Sequence, residues 1–203
     1  VQYPSFSLEF ELLKRYSFVS GVDEVGRGCL AGPVVSCIAV ITHEDQYLPR
    51  VRDSKTMSHL QREKLASELK DTISYYSVGL ATSNEIDRLG IRRATHLSML
   101  RAYWKLPVTP EVILMDGESA TIPIFSKTFQ YNHGDLNHYS IAAASIIAKV
   151  YRDTLMIELE KQSPGYHFDE HKGYGTAKHY EAIKKLGISS VHRLSFLKSL
   201  SRH

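Results

Sequence analysis

The run Val34-Val35-Ser36-Cys37-Ile38-Ala39-Val40-Ile41 most limits what this chain can become. It is apolar, largely β-branched and preceded by Gly32-Pro33, so it reads as a buried strand over 33–42. Residues 16–25 predict a strand before it, with Phe18 and Val22 on one face. The Gly-rich loop from Gly26 to Gly32 joins the two, which implies a hairpin. Ser58 with Gln61 three residues on forms a capping-box pattern and starts a helix that runs to about Asp71. Tyr75–Ala81 reads as a third strand. Residues 83–105 read as helix with a break near Gly90, Leu97, Leu100 and Trp104 falling on one stripe. Pro107 and Pro110 end it. Residues 112–115 form a short strand that stops at Asp116-Gly117, and 125–131 a fifth strand. A long helix over 141–161 stops at Pro164-Gly165, and shorter helices fit 176–186 and 195–200. Three strands followed by strands alternating with helices predict an α/β fold with a mixed sheet. The 203 residues, 43% of them hydrophobic, suit one domain over 1–165. A basic helical extension over 166–203 is expected to pack on it.

Four acidic residues stand out against these apolar contexts: Asp23, Glu24, Asp116 and Asp153. A lone carboxylate in a protein interior costs several kcal/mol, so such groups pair or bind metal. Asp116 follows Val112-Ile113-Leu114-Met115, which puts it at the C-terminal end of a strand, where ligand sites of open α/β sheets gather. An ordinary Asp-Gly turn accounts for the same dipeptide. Asp153 shares a narrow helical stripe with Ala142, Ile146, Val150 and Ile157. Either it serves a site or Lys149, four residues earlier, pairs with it. Asp23 and Glu24 pose a geometric question, because neighbouring strand residues point to opposite faces. Gly26 and Gly28 make a bend there inexpensive. Four converging carboxylates form a hard oxygen cage suited to Mg2+ or Mn2+, with a phosphate-containing substrate.

Charge is unevenly spread. From Lys172 onward there are seven Lys/Arg against one acid, Glu181, whereas the preceding chain holds 18 basic and 21 acidic residues. With Tyr174, Tyr180 and Phe196 interleaved, the basic segment suits a polyanion, although a solvated helix face has the same composition. No apolar stretch approaches the roughly 20 residues of a membrane span, and Val1-Gln2-Tyr3-Pro4 has no signal-peptide pattern. Cys29 and Cys37 make neither a disulfide framework nor a zinc site, so a cytoplasmic location is expected.

Other motifs fail on inspection. The loop Gly26-Arg27-Gly28-Cys29-Leu30-Ala31-Gly32 lacks the glycine spacing of a dinucleotide fingerprint, and a strand follows where that motif needs a helix. It reads better as a loop whose backbone N–H groups approach a sugar-phosphate chain, with Arg27 adding a cation. His167 and His171 are spaced for zinc, but Pro164-Gly165 and Gly173 put them in a loop without an evident third ligand. No nucleophile motif supports covalent hydrolysis.

Five segments, in order, resemble bacterial ribonuclease HII: Gly21-Val22-Asp23-Glu24-Val25-Gly26-Arg27-Gly28, Asp53-Ser54-Lys55, Ile113-Leu114-Met115-Asp116-Gly117, the stretch from Ala143 to Asp153, and His171-Lys172-Gly173-Tyr174. The resemblance implies a ribonuclease-H-like five-stranded mixed sheet flanked by helices, with a C-terminal helical extension. It implies endonucleolytic cleavage of RNA in RNA–DNA hybrids and on the 5′ side of ribonucleotides embedded in duplex DNA, by a monomer. Asp23, Glu24, Asp116 and Asp153 match the family's acidic metal positions, for Mg2+ or Mn2+. Gly26, Arg27, Gly28 and Tyr174 match its reader of the RNA–DNA junction, while Lys55, Lys172 and the basic segment would hold phosphates. Cys29 and Gly175 depart from prolines usual in the family, and Asn132-His133-Gly134-Asp135 departs from a Lys-Gly-Asp form. A non-catalytic hybrid-binding module needs no convergent acids, and a small-molecule phosphatase needs no basic aromatic tail.

Overall fold

The computed structural model describes residues 3–117 and 127–197, without the side chain of Lys55. Five strands form one sheet: β1 (Val19–Val25), β2 (Val34–Ile41), β3 (Tyr75–Ala81), β4 (Val112–Asp116) and β5 (Lys127–Tyr131), in the order β3-β2-β1-β4-β5. The expected mixed α/β sheet is therefore present. β2 pairs antiparallel with β1 and β3, whereas β4 lies parallel to β1 and to β5. The described helices are α1 (Ser7–Leu13), α2 (His59–Thr72), α3 (Ser83–Leu89), α4 (Ile91–Lys105), α5 (Gly134–Asn137), α6 (Tyr139–Gln162), α7 (Phe168–His171) and α8 (Ala177–Leu186). None is long and apolar enough to cross a membrane.

Every residue of β2 is buried, because the strand is covered on both sides. Val35, Cys37, Ala39 and Ile41 pack with α2 and α6, while Ile38 and Val40 meet Met99 and Ala102 of α4. Complete burial of its valines and isoleucines contributes roughly 1.5–3 kcal/mol each, which makes β2 the anchor of the fold. Two close approaches set the helix positions. A Cβ on Gly21 would lie 2.0 Å from the Ser140 backbone carbon, so α6 crosses directly over β1. A Cβ on Gly79 would lie 2.1 Å from Ser98 O, so α4 rests on β3.

That second contact corrects the expected apolar stripe of α4. Its buried residues are Ala94, Thr95, Ser98, Met99 and Ala102, and Trp104 is 65% exposed. Small side chains face the sheet because backbone contacts backbone there, and Leu97 and Leu100 are only partly buried. The capping box of Ser58 and Gln61 forms as expected. The Gly90 break also forms, with φ +77 at the junction of α3 and α4. α1, α5 and α7 are short and carried no clear sequence period. α1 matters nonetheless: its buried Glu9 accepts hydrogen bonds from Ser140 N and Oγ at 2.8 and 2.7 Å, at the N-terminus of α6. The expected helix over 195–200 is a short 3-10 turn at Leu194–Phe196, and its remainder falls outside the described residues, as do 125–126 of the expected fifth strand.

Residues beyond α6 pack on the β1–β2 loop. Leu30, Ala31, Met156, Tyr166, Phe168, Ala182 and Ile183 share one apolar cluster. Three histidines are buried or half-buried beside it. His171 stacks on His179 at 4.3 Å, and His179 Nε2 lies 3.1 Å from His192 Nε2. This unit carries Tyr174 to the sheet.

Candidate active site

The pairing of β1 with β4 ends at Val22 and Met115. Beyond that rung the two strands separate, and the split opens into a cavity of ≈ 300 Å³. Asp23 and Glu24 at the end of β1 and Asp116 at the end of β4 all line it. This answers the geometric question posed by adjacent strand residues. Asp23, paired across from Cys37, lies on the α6 side, and Glu24, across from Ser36, lies on the α4 side. Past the last rung no neighbouring strand divides these two sides, so both reach one cavity.

The carboxylates repel one another. Burial pushes the Asp23 carboxyl well above its ordinary range, and the charges of Glu24, Asp116 and Asp135 push it further, against a lowering hydrogen bond from Ser145. Asp23 Oδ1 also accepts the Glu24 amide at 2.7 Å. Burial raises Glu24 too, with Arg27 opposing and Asp116 adding to the rise. Arg27 donates to Glu24 Oε1 at 2.9 Å, while the buried Oε2 has no hydrogen-bond partner among the described residues. Asp116 Oδ1 accepts the Gly134 amide at 2.6 Å, which fixes its rotamer. An oxygen-only donor set of crowded carboxylates with one orphaned oxygen fits a hard divalent cation.

Asp153 sits differently from the other three. It is 4% exposed, and Lys149 Nζ stands 2.7 Å from its Oδ1 and Arg62 NH1 3.6 Å from its Oδ2. Lys149 lines the cavity, so the helix brings Asp153 to its edge behind an ammonium. Both readings of the helical stripe meet here: the residue faces inward, and Lys149 pairs with it.

Gly26, Arg27, Gly28 and Tyr174 line the same cavity. Gly26 has φ +88, and a Cβ there would lie 2.1 Å from Arg152 Nε, so only glycine fits. Tyr174 is 42% exposed, and burial of the rest of its ring raises its phenol pKa. Lys172 has φ +51, and its ammonium donates to the Asp169 carbonyl rather than into the cavity. The Lys55 side chain lies outside the described residues, whereas its neighbour Ser54 lines the cavity. Cys29 is fully buried, which removes solvent access to its thiol.

Ser145 and Asp135 also line the cavity, and neither is assigned a role from the sequence. Ser145 lies four residues before Lys149 and eight before Asp153 on α6, so the helical period carried a signal for it. Asp135 lies in the first turn of the short helix α5, and nothing in the local pattern marks it as inward. Its position follows from the Gly134–Asp116 hydrogen bond. The histidine pair considered for zinc is divided. His171 Nε2 turns to the Tyr166 carbonyl, and His167 groups instead with Glu160 and Asp169. Glu160 already accepts the amides of Gly165 and Phe168.

The family model described as Ribonuclease HII matches residues 20–199. The ribonuclease HII of Endomicrobium trichonymphae is 46% identical over 178 residues, covering 88% of this chain and 84% of that protein. The ribonuclease HII of Caldicellulosiruptor bescii is 43% identical over 197 residues, covering 96% and 94%. Among solved structures, ribonuclease H2 from Pyrococcus horikoshii superposes with a TM-score of 0.72 at 27% identity, over 92% of this chain and 100% of that one.

Proposed function

The chain belongs to the ribonuclease HII family, and from that premise we propose how its residues divide the work of an RNA–DNA hybrid endonuclease. As a family member it is a metal-dependent ribonuclease H that hydrolyses the RNA strand of such hybrids. The observation that carries the residue assignment is the convergence of Asp23, Glu24 and Asp116 on one cavity, with Asp153 at its edge. These four acids would hold Mg2+ or Mn2+, and Asp135 adds a fifth carboxylate to the same wall. When bound, such ions make water nucleophilic near neutral pH and offset the charge that builds on the phosphate.

The chain's own residues do the rest. Ser145 and the Glu24 amide hold the Asp23 carboxyl, and the Gly134 amide holds Asp116, so the acids stand in place before substrate arrives. Gly26-Arg27-Gly28 and Tyr174, which line the same cavity, would read the ribose 2′-OH and the following nucleotide, because that hydroxyl is what separates RNA from DNA. Arg27, held by Glu24, places a cation beside the backbone phosphates. Residues 166–197 act as an extension that delivers Tyr174 to the site and adds basic surface. We read the protein as a monomer acting in the cytoplasm on hybrids and on ribonucleotide-containing duplex DNA.

The deciding assay uses a DNA duplex with one embedded ribonucleotide, in Mg2+, Mn2+ or EDTA. Metal-dependent cleavage on the 5′ side of the ribonucleotide is expected. Binding without cleavage indicates a hybrid-binding module, and turnover of small phosphate esters alone indicates a phosphatase. An Asp116→Asn variant that cuts at the parental rate overturns the metal-site assignment.

A further inference from the structure

The β1–β2 loop is held by a buried cation that the cleavage chemistry does not use. Arg193 is fully buried, yet no carboxylate lies within salt-bridge distance of it among the described residues. Its partners are backbone carbonyls of one loop. Nε donates to Gly32 O at 3.0 Å, NH1 to Arg27 O at 2.9 Å, and NH2 to Gly26 O at 2.7 Å and Gly32 O at 2.9 Å. The guanidinium also lies over the Phe196 ring at 5.3 Å. Burying a charge without a carboxylate in contact is costly, and burial lowers the Arg193 pKa to about 10 even though the more distant Asp87 opposes the drop. An apolar side chain would fill this space more cheaply, so the loop's conformation is what the charge secures.

The consequence falls on the loop's donors. The Gly26 and Arg27 carbonyls accept from Arg193, Gly26 O also accepting Cys29 N at 3.4 Å, and the backbone N–H groups of Arg27 and Gly28 donate to no described residue. These two residues line the acidic cavity. Arg27 and Gly28 are the central pair of the turn that Arg193 braces, and their successive unpaired amides make an anion- or hydroxyl-binding nest. A planar fork with five donors can hold three carbonyls in a fixed relation, which a lysine ammonium cannot.

The carrier of Arg193 is itself clamped. Arg193 N donates to Leu30 O at 2.8 Å, and Asp87 of α3 accepts from Leu194 N at 2.8 Å and from Ser195 N at 2.9 Å. The turn bearing Arg193 is therefore pinned to α3 on one side and to the loop on the other.

We infer that Arg193 is a positioning residue for ribose recognition: by holding the Gly26, Arg27 and Gly32 carbonyls it keeps the Arg27 and Gly28 amides available at the cavity wall. The inference rests on the proposed reading of this loop as the ribose reader. Asp87 supports the same device from outside the cavity.

The test compares two duplexes that differ only at one nucleotide, a ribonucleotide or its 2′-deoxy-2′-fluoro analogue. The ratio of their kcat/KM values cancels any loss of active protein, which a purely structural defect would cause. Arg193→Lys is expected to shrink the parental ratio about tenfold, chiefly through kcat on the ribonucleotide, with KM changed by less than roughly threefold. Asp87→Ala, which keeps the guanidinium and loosens its carrier, is expected to shrink the ratio about threefold, and it decides the matter should Arg193→Lys fail to fold. A parental ratio retained by the folded variants, whatever their thermal midpoints, overturns the positioning role. A parent enzyme indifferent to the 2′ substituent overturns the loop's reading itself, and the inference with it.

Discussion

Lys149 Nζ stands 2.7 Å from Asp153 Oδ1, one helical turn apart on α6 and at the edge of the acidic cavity. An exposed pair at this spacing contributes only about 0.3–0.5 kcal/mol. Here the carboxylate is almost wholly buried, and its other cationic neighbour, Arg62, stands at 3.6 Å while donating to the Ser54 and Met57 carbonyls. Lys149→Met is therefore expected to destabilise the metal-free protein by about 2 kcal/mol, through an under-compensated buried charge. Urea unfolding in EDTA measures this. An unchanged midpoint means that Arg62 suffices.

Asp23 gives the opposite sign. Its carboxylate is buried and repelled by Glu24, Asp116 and Asp135. Asp23→Asn removes one of these clustered charges while keeping the shape, so the metal-free protein is expected to gain about 1 kcal/mol or more. The stabilisation that Mg2+ or Mn2+ gives the parent should shrink in the variant. Thermal melts with and without the ion report both effects. A variant less stable than the parent in EDTA contradicts the repulsion argument.

Gly21 couples the sheet to the site. Alanine there would drive a Cβ to 2.0 Å from the Ser140 backbone, and backbone cannot move aside as a flexible side chain does. Gly21→Ala is expected to cost at least about 3 kcal/mol and to shift α6, with Ser145 and Asp153, away from β1. Circular dichroism and denaturant titration test it. Ordinary stability would mean that α6 has room to slide.

The C-terminal histidines predict an acid sensitivity. Burial, then the neighbouring His179, lowers the His192 pKa from its usual 6.5 to about 4. His171 and His179 are lowered in the same direction, again mainly by burial. Because the folded form resists protonation, this stability is fully present above about pH 6.5 and is lost as pH falls toward 4, up to about 3 kcal/mol for His192. Urea midpoints between pH 7.5 and 4.5 follow the loss, and His192→Gln should flatten the curve across that window. A parental curve kept by the variant assigns the effect elsewhere.

Much of this molecule is written locally. The saturated apolar run of β2, the capping box at Ser58 and the Gly90 break each act within a few residues, so their elements form where expected. The inward direction of Asp153 follows from helical period alone. Asp116 at the end of an apolar strand and the Gly26-Arg27-Gly28 turn are equally legible. What the chain could not announce depends on partners far along it. The face of α4 that meets the sheet is set by contact between backbones at Gly79 and Ser98, not by its largest side chains. Asp135 reaches the cavity because its neighbour Gly134, at the start of α5 and 18 residues from Asp116, donates its amide to the Asp116 carboxylate. Asp23 and Glu24 share one site only because β1 outlasts its pairing with β4. Arg193 finds its carbonyls more than 160 residues away. Local periodicity fixes which way a side chain leaves its own element. Which groups it then meets is decided by how the elements cross, and that is where the cavity and its repulsions were made.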